Sequence, residues 1–328
     1  MSAARRPVDI GILLYPGVQL AAVHGLTDLF GVATRLAAAH AGDAQPALRV
    51  RHWAEADGGA IACVHDTHPG PESRPAALIV PPSLGDLLDR AVAVRLAAWL
   101  KGRHGSGATL CSICAGAFLL AETGLLGGRA ATTHWSLAET LARRFPDIRV
   151  EADKLILDDG DIITAGGVMA WTDLGLKLVD RLLGPSIMLA TARFLLVDPP
   201  GREQRFYSNF SPRLQHGDEA VLKVQYWLQA QAAQGASLPA MAARAGLEPR
   251  TFLRRFRKAT GLRPTEYCQH LRVGRARERL EFTTRSIEQI AWEVGYEDVG
   301  AFRKVFHKVL GLSPGDYRRR FGVGAAAE

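Results

Sequence analysis

The sequence predicts an α/β domain followed by an all-α domain. Short apolar segments alternate with helical patterns over the first two thirds of the 328 residues, and a helical unit repeats itself in the last third. The charge is divided in the same way. Residues 217–328 hold 19 Lys and Arg against 12 Asp and Glu, whereas residues 1–216 hold 21 of each, so the formal net charge of +7 lies in the C-terminal part. A neutral α/β part joined to a basic part is typical of a sensor joined to a nucleic-acid reader.

The N-terminal part has the pattern of a doubly wound, flavodoxin-like sheet. Residues 7–15, 76–81 and 107–112 are short apolar segments bounded by Pro, Gly or Ser, as buried parallel strands are. Alternation of such strands with helices is typical of a parallel sheet that is covered on both faces. The helical patterns cover residues 20–39, 86–103, 115–125 and 134–145.

The rest of this part continues the alternation and then loses it. Residues 149–167 predict short strands around the turn Asp158-Asp159-Gly160, and residues 168–184 have the spacing of an amphipathic helix. Residues 198–217 contain three prolines and no sustained periodicity, which predicts a linker. We therefore divide the chain into residues 1–197, 198–217 and 218–328.

Composition excludes several classes of protein. No apolar run approaches the roughly 20 residues that a membrane-spanning helix needs, so we expect a cytoplasmic protein without a membrane partner. The four cysteines have neither the density nor the spacing of a disulfide framework. Cys111 and Cys114 form a C-x-x-C, but no second Cys or His pair follows at zinc spacing. We expect no metal and no cofactor, and the alternative of a redox pair has no further support.

The C-terminal part contains a duplicated helical unit. Residues match at a constant offset of 50, except that the turn glycines Gly246 and Gly295 stand 49 apart, so the second turn has one extra residue. A repeat of this length indicates a duplicated supersecondary unit. The matching pairs are Phe252 and Phe302, Phe256 and Phe306, Gly261 and Gly311, Pro264 and Pro314, and Tyr267 and Tyr317.

Each repeat has the pattern of a helix, a tight turn at glycine and a second helix, at about 237–260 and 286–310. Ser237 and Ser286 are N-cap residues for the first helices, and Asp298 caps the second helix of the second repeat. This is helix-turn-helix geometry, in which the second helix enters the major groove of double-stranded DNA. A helix at about 265–281 would hold both repeats, so that they enter successive major grooves.

The second helix of each repeat presents a polar, basic face. The apolar positions Phe252 and Phe256 are four apart and face inward, which leaves the remaining side chains for a groove. The bland alternatives are a helical bundle with a basic face and a dimerisation module, and the duplication favours DNA reading over both. The expected DNA-binding residues are Arg250, Thr251, Arg254, Arg255, Lys258, Val299, Gly300, Arg303, Lys304 and His307.

At these motifs residues 218–321 resemble the DNA-binding domain of the AraC/XylS transcription regulators. The stretch "SIEQIAWEVGYEDVGAFRKVFHKVLGLSPGDYRRRF" is similar to that family's signature almost end to end. The resemblance covers both repeats and implies sequence-specific DNA binding in the regulation of transcription.

The N-terminal part resembles class I glutamine amidotransferase-like domains of the PfpI type. More closely, it is similar to the GlxA-like regulators of the AraC family, which carry such a domain as a sensor. The resemblance places Cys114 at a nucleophile elbow with His134 near it, and it implies a small, nitrogen-containing metabolite as the effector. It is carried by the stretches "LLYPGVQLAAVHGLTDLFGVA", "LIVPPS", "LCSICAGAFLLAETGLLGGRAATTHW" and "ITAGGVMAWTDLGLKLVDRLLG".

Several parts of a thiol enzyme are missing around Cys114. The acidic residue that enzymes of this superfamily often carry in the first helix is replaced by Ala22, and their "PGG" loop reads Pro81-Pro82-Ser83. Pro82 has no N–H for an oxyanion, and Ala115 rather than a histidine follows the cysteine. We therefore expect no enzyme activity. The competing hypothesis is a thiol-dependent hydrolase or amidase with an appended DNA-binding domain.

A ligand pocket at this turn is the favoured interpretation, because small molecules bind at the carboxyl ends of parallel strands. A small buried cysteine with a purely structural role is the plainer alternative. Trp135 offers a ring face to a cationic effector, although Trp135 and His134 could equally be interior residues. The expected ligand-binding residues are Cys114, His134, Trp135, Ser83 and His24. A homodimer formed through this domain would read repeated half-sites.

Overall fold

A computed structural model describes residues 6–42, 45–56, 59–199, 203–207, 210–231 and 233–322. The chain divides into two compact units, Met1–Gln204 and Arg205–Glu328. Among these described residues, the strands and six α-helices lie in the N-terminal unit, and the C-terminal unit is helical. The predicted fold class, α/β followed by all-α, is confirmed. The division between the units falls inside the segment 198–217 that the sequence predicts as a linker.

The N-terminal unit is built on a seven-stranded sheet. The strands are β1 (Val8–Leu13), β2 (Leu48–Glu55), β3 (Ile61–Asp66), β4 (Ala77–Val80), β5 (Thr109–Ile113), β6 (Ala130–Ala131), β7 (Arg149–Val150), β8 (Ile156–Asp158) and β9 (Ile162–Ala165). Their order in the sheet is β3-β2-β1-β4-β5-β9-β8, while β6 and β7 form a separate pair. The five central strands are parallel and the edge strands β3 and β8 are antiparallel. This central order is that of a flavodoxin-like sheet.

Helices cover both faces of this sheet. They are α1 (Leu20–Ala41), α2 (Arg90–Gly105), α3 (Gly116–Glu122), α4 (Ala138–Arg144), α5 (Trp171–Leu183) and α6 (Pro185–Leu195). Alternate residues of β4 point to opposite faces: Ile79 packs in the core under α1, α5 and α6, and Leu78 packs in the core under α2 and α3. The sheet is therefore apolar on both sides, which explains why its central strands were visible in the sequence as continuous apolar segments.

Strands β2 and β3 were missed in the sequence. Strand β2 carries two arginines that interrupt its apolar pattern, and β3 is largely exposed. Both arginines are buried. The Arg51 guanidinium pairs with Asp9 at 2.6 Å, and the Arg49 guanidinium pairs with Asp66 at 2.5 Å. Each also donates to backbone carbonyls in residues 70–73. Partners that are distant in sequence satisfy the two charges and allow the strand to be buried.

The C-terminal unit contains seven helices within its described residues. They are α7 (Glu219–Ala230), α8 (Leu238–Ala245), α9 (Pro249–Thr260), α10 (Pro264–Phe282), α11 (Ile287–Glu293), α12 (Val299–Leu310) and α13 (Pro314–Phe321). Helix α10 contributes to two separate cores. Tyr267 near its start packs with α7, α8 and α9, whereas Val273 and Leu280 pack with α11, α12 and α13. Within the described parts of the chain, no helix has the length and apolar character needed to span a bilayer.

The helix ends of the two repeats follow the predicted capping. The side chains of Ser237, Ser286 and Asp298 accept backbone N–H groups at the starts of α8, α11 and α12. Gly246, after α8, and Gly295, after α11, have positive φ angles of 66° and 86°. Both repeats therefore form the predicted helix-turn-helix, with a left-handed glycine in the turn.

An aromatic trio forms the centre of each repeat. Neighbouring ring centroids lie 5.3 Å apart in the first trio and 5.6 Å apart in the second. The last two rings of each trio meet edge to face, which is a favourable aromatic geometry. The trios are Phe252, Phe256 and Tyr267, and Phe302, Phe306 and Tyr317. The duplication in sequence is therefore a duplication of packing.

We expect Phe256→Ala and Phe306→Ala each to lower the free energy of unfolding of the C-terminal unit by about 3–5 kcal/mol, because each removes the buried central ring of a trio. Chemical denaturation of the full chain, followed by circular dichroism, measures this loss. Leu253→Ala on the exposed face of α9 is the control and should cost less than about 1 kcal/mol. Equal losses for Leu253→Ala and Phe256→Ala would contradict the assignment of the inner face.

Candidate nucleic-acid interface and ligand site

The outer faces of α9 and α12 repeat position by position. From 251 to 260 and from 301 to 310, buried, half-buried and exposed residues follow in the same order. Four exposed positions therefore recur in both helices, and six of the eight residues at these positions are Arg or Lys. The exposed pairs are Leu253 and Arg303, Arg254 and Lys304, Arg257 and His307, and Lys258 and Lys308.

Most of the residues expected to bind DNA lie on these faces. Thr251 and Val299 are half-buried. Arg257 and Lys308 occupy equivalent exposed positions and were missed in the sequence. The 50-residue offset, applied to His307 and Lys258, would have found both. The exposed members of the predicted set are Arg250, Arg254, Lys258, Gly300, Arg303, Lys304 and His307.

Arg255, also expected to bind DNA, is half-buried and held against α7. Its Nε and Nη2 donate to the two carboxylate oxygens of Asp218 at 2.9 and 2.7 Å. The hydrogen bonds from Arg255 hold the pKa of Asp218 below its usual range. Asp218 also caps α7 by accepting the N–H of Val221 at 3.1 Å. This bidentate pair occupies the guanidinium of Arg255, whereas Arg254 beside it is exposed.

Arg272 of α10 joins the loop ahead of the first repeat to the turn of the second repeat. Its Nη2 donates to the carbonyl of Ala233, ahead of α8, at 2.9 Å, and its Nη1 donates to the carbonyl of Gly295, ahead of α12, at 3.2 Å. Gln234 makes a second link, because its Nε2 donates to the carbonyl of Glu293 at 2.7 Å. Side chains as well as two cores therefore hold α9 and α12, the second or recognition helices of the two helix-turn-helix units, at a fixed separation.

Cys114 lies at a sharp turn between β5 and α3. Its φ is 53°, in the left-handed region that non-glycine residues rarely adopt. Its N–H donates to the carbonyl of Ala165 at 2.8 Å, and its carbonyl accepts the hydroxyl of Thr133 at 2.7 Å. A Cβ on Gly116 would lie 2.6 Å from the carbonyl of Val80, so only glycine fits there. Hydrogen bonds and close packing hold the turn from both sides.

The environment of the Cys114 thiol keeps it protonated. The residue is 3% exposed, and burial raises its pKa to about 11, although the backbone N–H groups of Ala115 and His134 act in the opposite direction. At pH 7 a group with this pKa is ionised in about one molecule in ten thousand. The thiolate is the reactive form of cysteine, so this thiol is not activated.

The His134 imidazole is engaged with its neighbours. Its Nδ1 accepts the N–H of Ser136 at 3.2 Å and lies 2.7 Å from the hydroxyl of the same residue. Its ring packs on Trp135 with centroids 5.2 Å apart, and both residues are half-buried. Burial lowers the pKa of His134, so the imidazole is neutral at pH 7. It is placed as a cap of the short turn that follows it rather than as a free base.

The loop at Pro81-Pro82-Ser83 is bound through its carbonyl oxygens. The Tyr15 hydroxyl donates to the carbonyl of Pro81, and the Gln19 N–H donates to the carbonyl of Pro82 at 2.8 Å. The Ser83 hydroxyl donates to a backbone carbonyl at 2.9 Å. These hydrogen bonds to the carbonyl oxygens of Pro81 and Pro82 hold the loop in place. Pro82 has no N–H group that could donate to an oxyanion.

A cleft beside the turn has a volume of about 20 Å³ and is lined in part by Tyr15, Ser83, Ala115 and Arg144. That volume admits about one water molecule. Ser83 is the predicted ligand residue among its described lining residues, whereas His24 is exposed on α1 with its ring 6.2 Å from that of His52. A metabolite therefore binds here only if this cleft opens, or it binds at a different site.

The four cysteines are free thiols, of which Cys63 is exposed. Cys111 is fully buried, and burial raises its pKa to about 12. The C-x-x-C therefore consists of two protonated thiols. Across the described ranges, no group of three or more His, Cys, Asp or Glu side chains is arranged to hold a metal ion.

Two protein families match the chain. The description of the first is a helix-turn-helix domain, matched by residues 241–320, and the second is the DJ-1/PfpI family, matched by residues 84–181. The first match contains both recognition helices, and the second contains β5, the Cys114 turn and most of α5.

Three bacterial proteins are similar over most of their length. The HTH-type transcriptional regulator GlxA of Rhizobium meliloti is 30% identical over 219 residues, which are 66% of this chain and 67% of that protein. The HTH-type transcriptional regulator CdhR of Pseudomonas aeruginosa is 27% identical over 328 residues, 97% of this chain and 94% of CdhR. The HTH-type transcriptional regulator ArgR of Pseudomonas aeruginosa is 28% identical, over 75% of this chain and 74% of ArgR.

We expect alkylation of Cys114 to keep accelerating as the pH rises to about 10, because its pKa is raised to about 11 and only the thiolate reacts. Peptide-level mass spectrometry after timed exposure to iodoacetamide measures the rate at each pH. The exposed Cys63 in the same sample is the internal comparison and should react faster at neutral pH. A plateau for Cys114 below about pH 8.5, the ordinary pKa of the residue, would contradict the thiol environment described above.

Proposed function

The chain belongs to the GlxA-like group of AraC-family transcriptional regulators, which carry a PfpI-type domain before a helix-turn-helix domain, and we propose how its two units divide that work. The N-terminal unit binds a small effector. The segment from about 218 to the end reads promoter DNA through α9 and α12. One observation carries this proposal: two basic faces with the same pattern of exposure are mounted on a single shared helix.

We propose that α9 and α12 enter successive major grooves. Exposed arginines, Arg254 and Arg257 in the first repeat and Arg303 in the second, are suited to pair with guanine edges, and the neighbouring lysines are suited to hold phosphates. Arg303 pairs with Glu288 at 3.1 Å, but both side chains are about half exposed. Such a pair contributes only about 0–1 kcal/mol, so DNA can replace the carboxylate at little cost.

We propose that the N-terminal unit senses and does not catalyse. Three observations support this: the protonated thiol of Cys114, the neutral imidazole of His134 that caps the following turn, and the bound carbonyls of Pro81 and Pro82. The effector is a small, nitrogen-containing metabolite, as the family resemblance implies. Because the cleft beside Ser83 and Ala115 is about one water molecule in size, effector binding there is coupled to opening of the cleft.

The regulator works in the cytoplasm, where promoter DNA is, as a homodimer that forms through the N-terminal unit. Two copies on one promoter engage repeated half-sites, and the second binding event gains from a raised effective concentration. A homodimer therefore needs only modest affinity from each C-terminal unit.

We expect Arg254→Ala and Arg257→Ala each to weaken binding to a selected operator by about 1–3 kcal/mol, because each removes an exposed guanidinium from the first recognition helix. Fluorescence anisotropy at several salt concentrations measures the affinity and the number of phosphate contacts. Arg319→Ala, an exposed arginine on α13, is the control. A wild-type chain without preference for any duplex over random competitor would refute the proposed DNA reading.

We expect Arg272→Ala to weaken operator binding and to reduce sensitivity to the spacing between the two grooves that one chain reads, because Arg272 links the loop ahead of the first repeat to the turn of the second. The measurement compares each protein on the operator and on a version with a base pair inserted between the two grooves. Glu278→Ala, exposed on the same helix, should behave as wild type. An insertion that penalises Arg272→Ala as strongly as wild type would show that the cores alone set the spacing.

A further inference from the structure

The last residue of the N-terminal unit, Gln204, has a buried and fully engaged carboxamide. The residue is 2% exposed. Its Nε2 donates to the carbonyls of Thr133 and Lys154 at 2.8 and 3.0 Å and lies 3.1 Å from the hydroxyl oxygen of Thr132. Its Oε1 accepts the N–H of Trp135 at 3.2 Å. We call these four partners, Thr132, Thr133, Trp135 and Lys154, the carboxamide seat.

The carboxamide seat is selective in its chemistry. Backbone carbonyls surround one end of the bound group, and a single N–H faces the other end. A primary amide matches both ends, whereas a carboxylate has no proton for the carbonyls and would be repelled by them. A Cβ on Gly166 would lie 2.2 Å from the Nε2 of Gln204, so glycine at this position leaves the space that the amide fills.

The carboxamide seat shares residues with the Cys114 turn. The Thr133 hydroxyl donates to the carbonyl of Cys114 at 2.7 Å, while the Thr133 carbonyl accepts from Gln204 at 2.8 Å. Trp135, which closes the other end of the seat, is also one of the residues that the sequence predicts to bind the effector. A change at the predicted ligand site therefore reaches Gln204 through one side chain.

The next residue in the chain, Arg205, is the first of the C-terminal unit and packs on the second recognition helix. A Cβ on Gly311 would lie 2.3 Å from the Nε of Arg205, so the guanidinium rests directly on this glycine. Gly311 is the C-cap of α12, with a φ of 76°. A cation at the C-terminus of a helix is favoured by the helix dipole.

We propose that the carboxamide seat is a binding site for a primary amide, filled in this structure by the chain's own Gln204. An effector that carries a primary amide competes for the seat and displaces Gln204. Because a single peptide bond joins Gln204 to Arg205, displacement also loosens the contact of Arg205 with α12 and changes DNA binding. This second step rests on the proposed function, whereas occupation of the seat is measurable without DNA.

The seat is tested with propionamide, which is the glutamine side chain without its tether. We expect Gln204→Ala in the full chain to melt at a lower temperature than wild type, and propionamide to raise that melting temperature until the effect saturates. Wild type should respond weakly, because its tethered amide has the advantage of effective concentration. Propionate is the matched control and should do nothing. Equal responses of wild type and Gln204→Ala, or no response of the variant, would overturn the proposal.

A second variant makes the test independent of the yield of Gln204→Ala. Gln204→Glu keeps the shape but replaces the amide by a carboxyl group, which can donate to the carbonyls only when it is protonated. We expect the deficit in melting temperature of Gln204→Glu, relative to wild type, to shrink as the pH is lowered towards the pKa of that carboxyl. A deficit that is independent of pH would count against an acceptor-lined seat.

The link to DNA is tested by a double-mutant cycle on a selected operator. We expect Gln204→Ala and Arg205→Ala each to change the operator affinity about fivefold or more, which is the range of ordinary allosteric coupling. The double variant should change it no further than one single variant, because both changes break the same connection. Additive effects, or unchanged affinity, would overturn the link. A wild-type chain without operator preference would instead refute the proposed function and leave the seat intact.

A matched pair of glycines isolates the contact of Arg205. Gly261 and Gly311 end the two recognition helices with φ angles of 78° and 76°, so an alanine is strained equally at either position. Among the described residues, nothing lies within 4 Å of a Cβ built on Gly261, whereas one on Gly311 meets Arg205. We expect Gly311→Ala to reproduce the effect of Arg205→Ala on operator affinity and Gly261→Ala to cause only the loss due to strain. Equal effects would overturn the contact.

Discussion

The packing of α10 into two cores is the constraint on which the C-terminal unit depends. Tyr267 belongs to the first core, and Leu280, near the other end of the same helix, belongs to the second. With 19 residues, α10 is about 28 Å long. That length is close to the roughly 34 Å between successive major grooves on one face of DNA. Neither recognition helix can leave its position without unpacking an aromatic trio, and Arg272 adds hydrogen bonds across the same gap. Packing and hydrogen bonds therefore hold α9 and α12 in fixed positions relative to each other.

The N-terminal unit keeps the backbone of an enzyme-like turn and uses its polar groups internally. The amide and carbonyl of Cys114 bind Ala165 and Thr133, and the carbonyls of the loop at 81–83 bind Tyr15 and Gln19. These backbone groups are bound by partners within the same unit. Movement of one partner in these hydrogen bonds would leave a buried polar group unsatisfied, so the neighbouring group would have to move as well. Such a site is suited to signalling.

Local patterns were enough to predict most of the architecture. The central strands are apolar on both faces, and the caps at Ser237 and Ser286 bind within their own first turns, so both were visible in short stretches of sequence. Interactions between distant residues were not visible. Burial of Arg51 depends on Asp9, 42 residues earlier, and Arg255 is held by Asp218, 37 residues earlier. Gln204 lies in the predicted linker because its partners, at residues 132–135 and 154, are 50 or more residues away in the sequence.

The matching burial patterns of α9 and α12 have a consequence for the DNA sequence that the chain could recognise. Both helices have phenylalanine at the same two inner positions, but their exposed side chains differ. Leu253 is equivalent to Arg303, and Arg257 is equivalent to His307. An apolar side chain favours a thymine methyl group, whereas a guanidinium favours guanine. If α9 and α12 enter successive grooves as proposed, they would prefer different base pairs, so that a single chain would recognise a non-palindromic sequence. The order of the two groove sites would then fix the direction in which the chain binds.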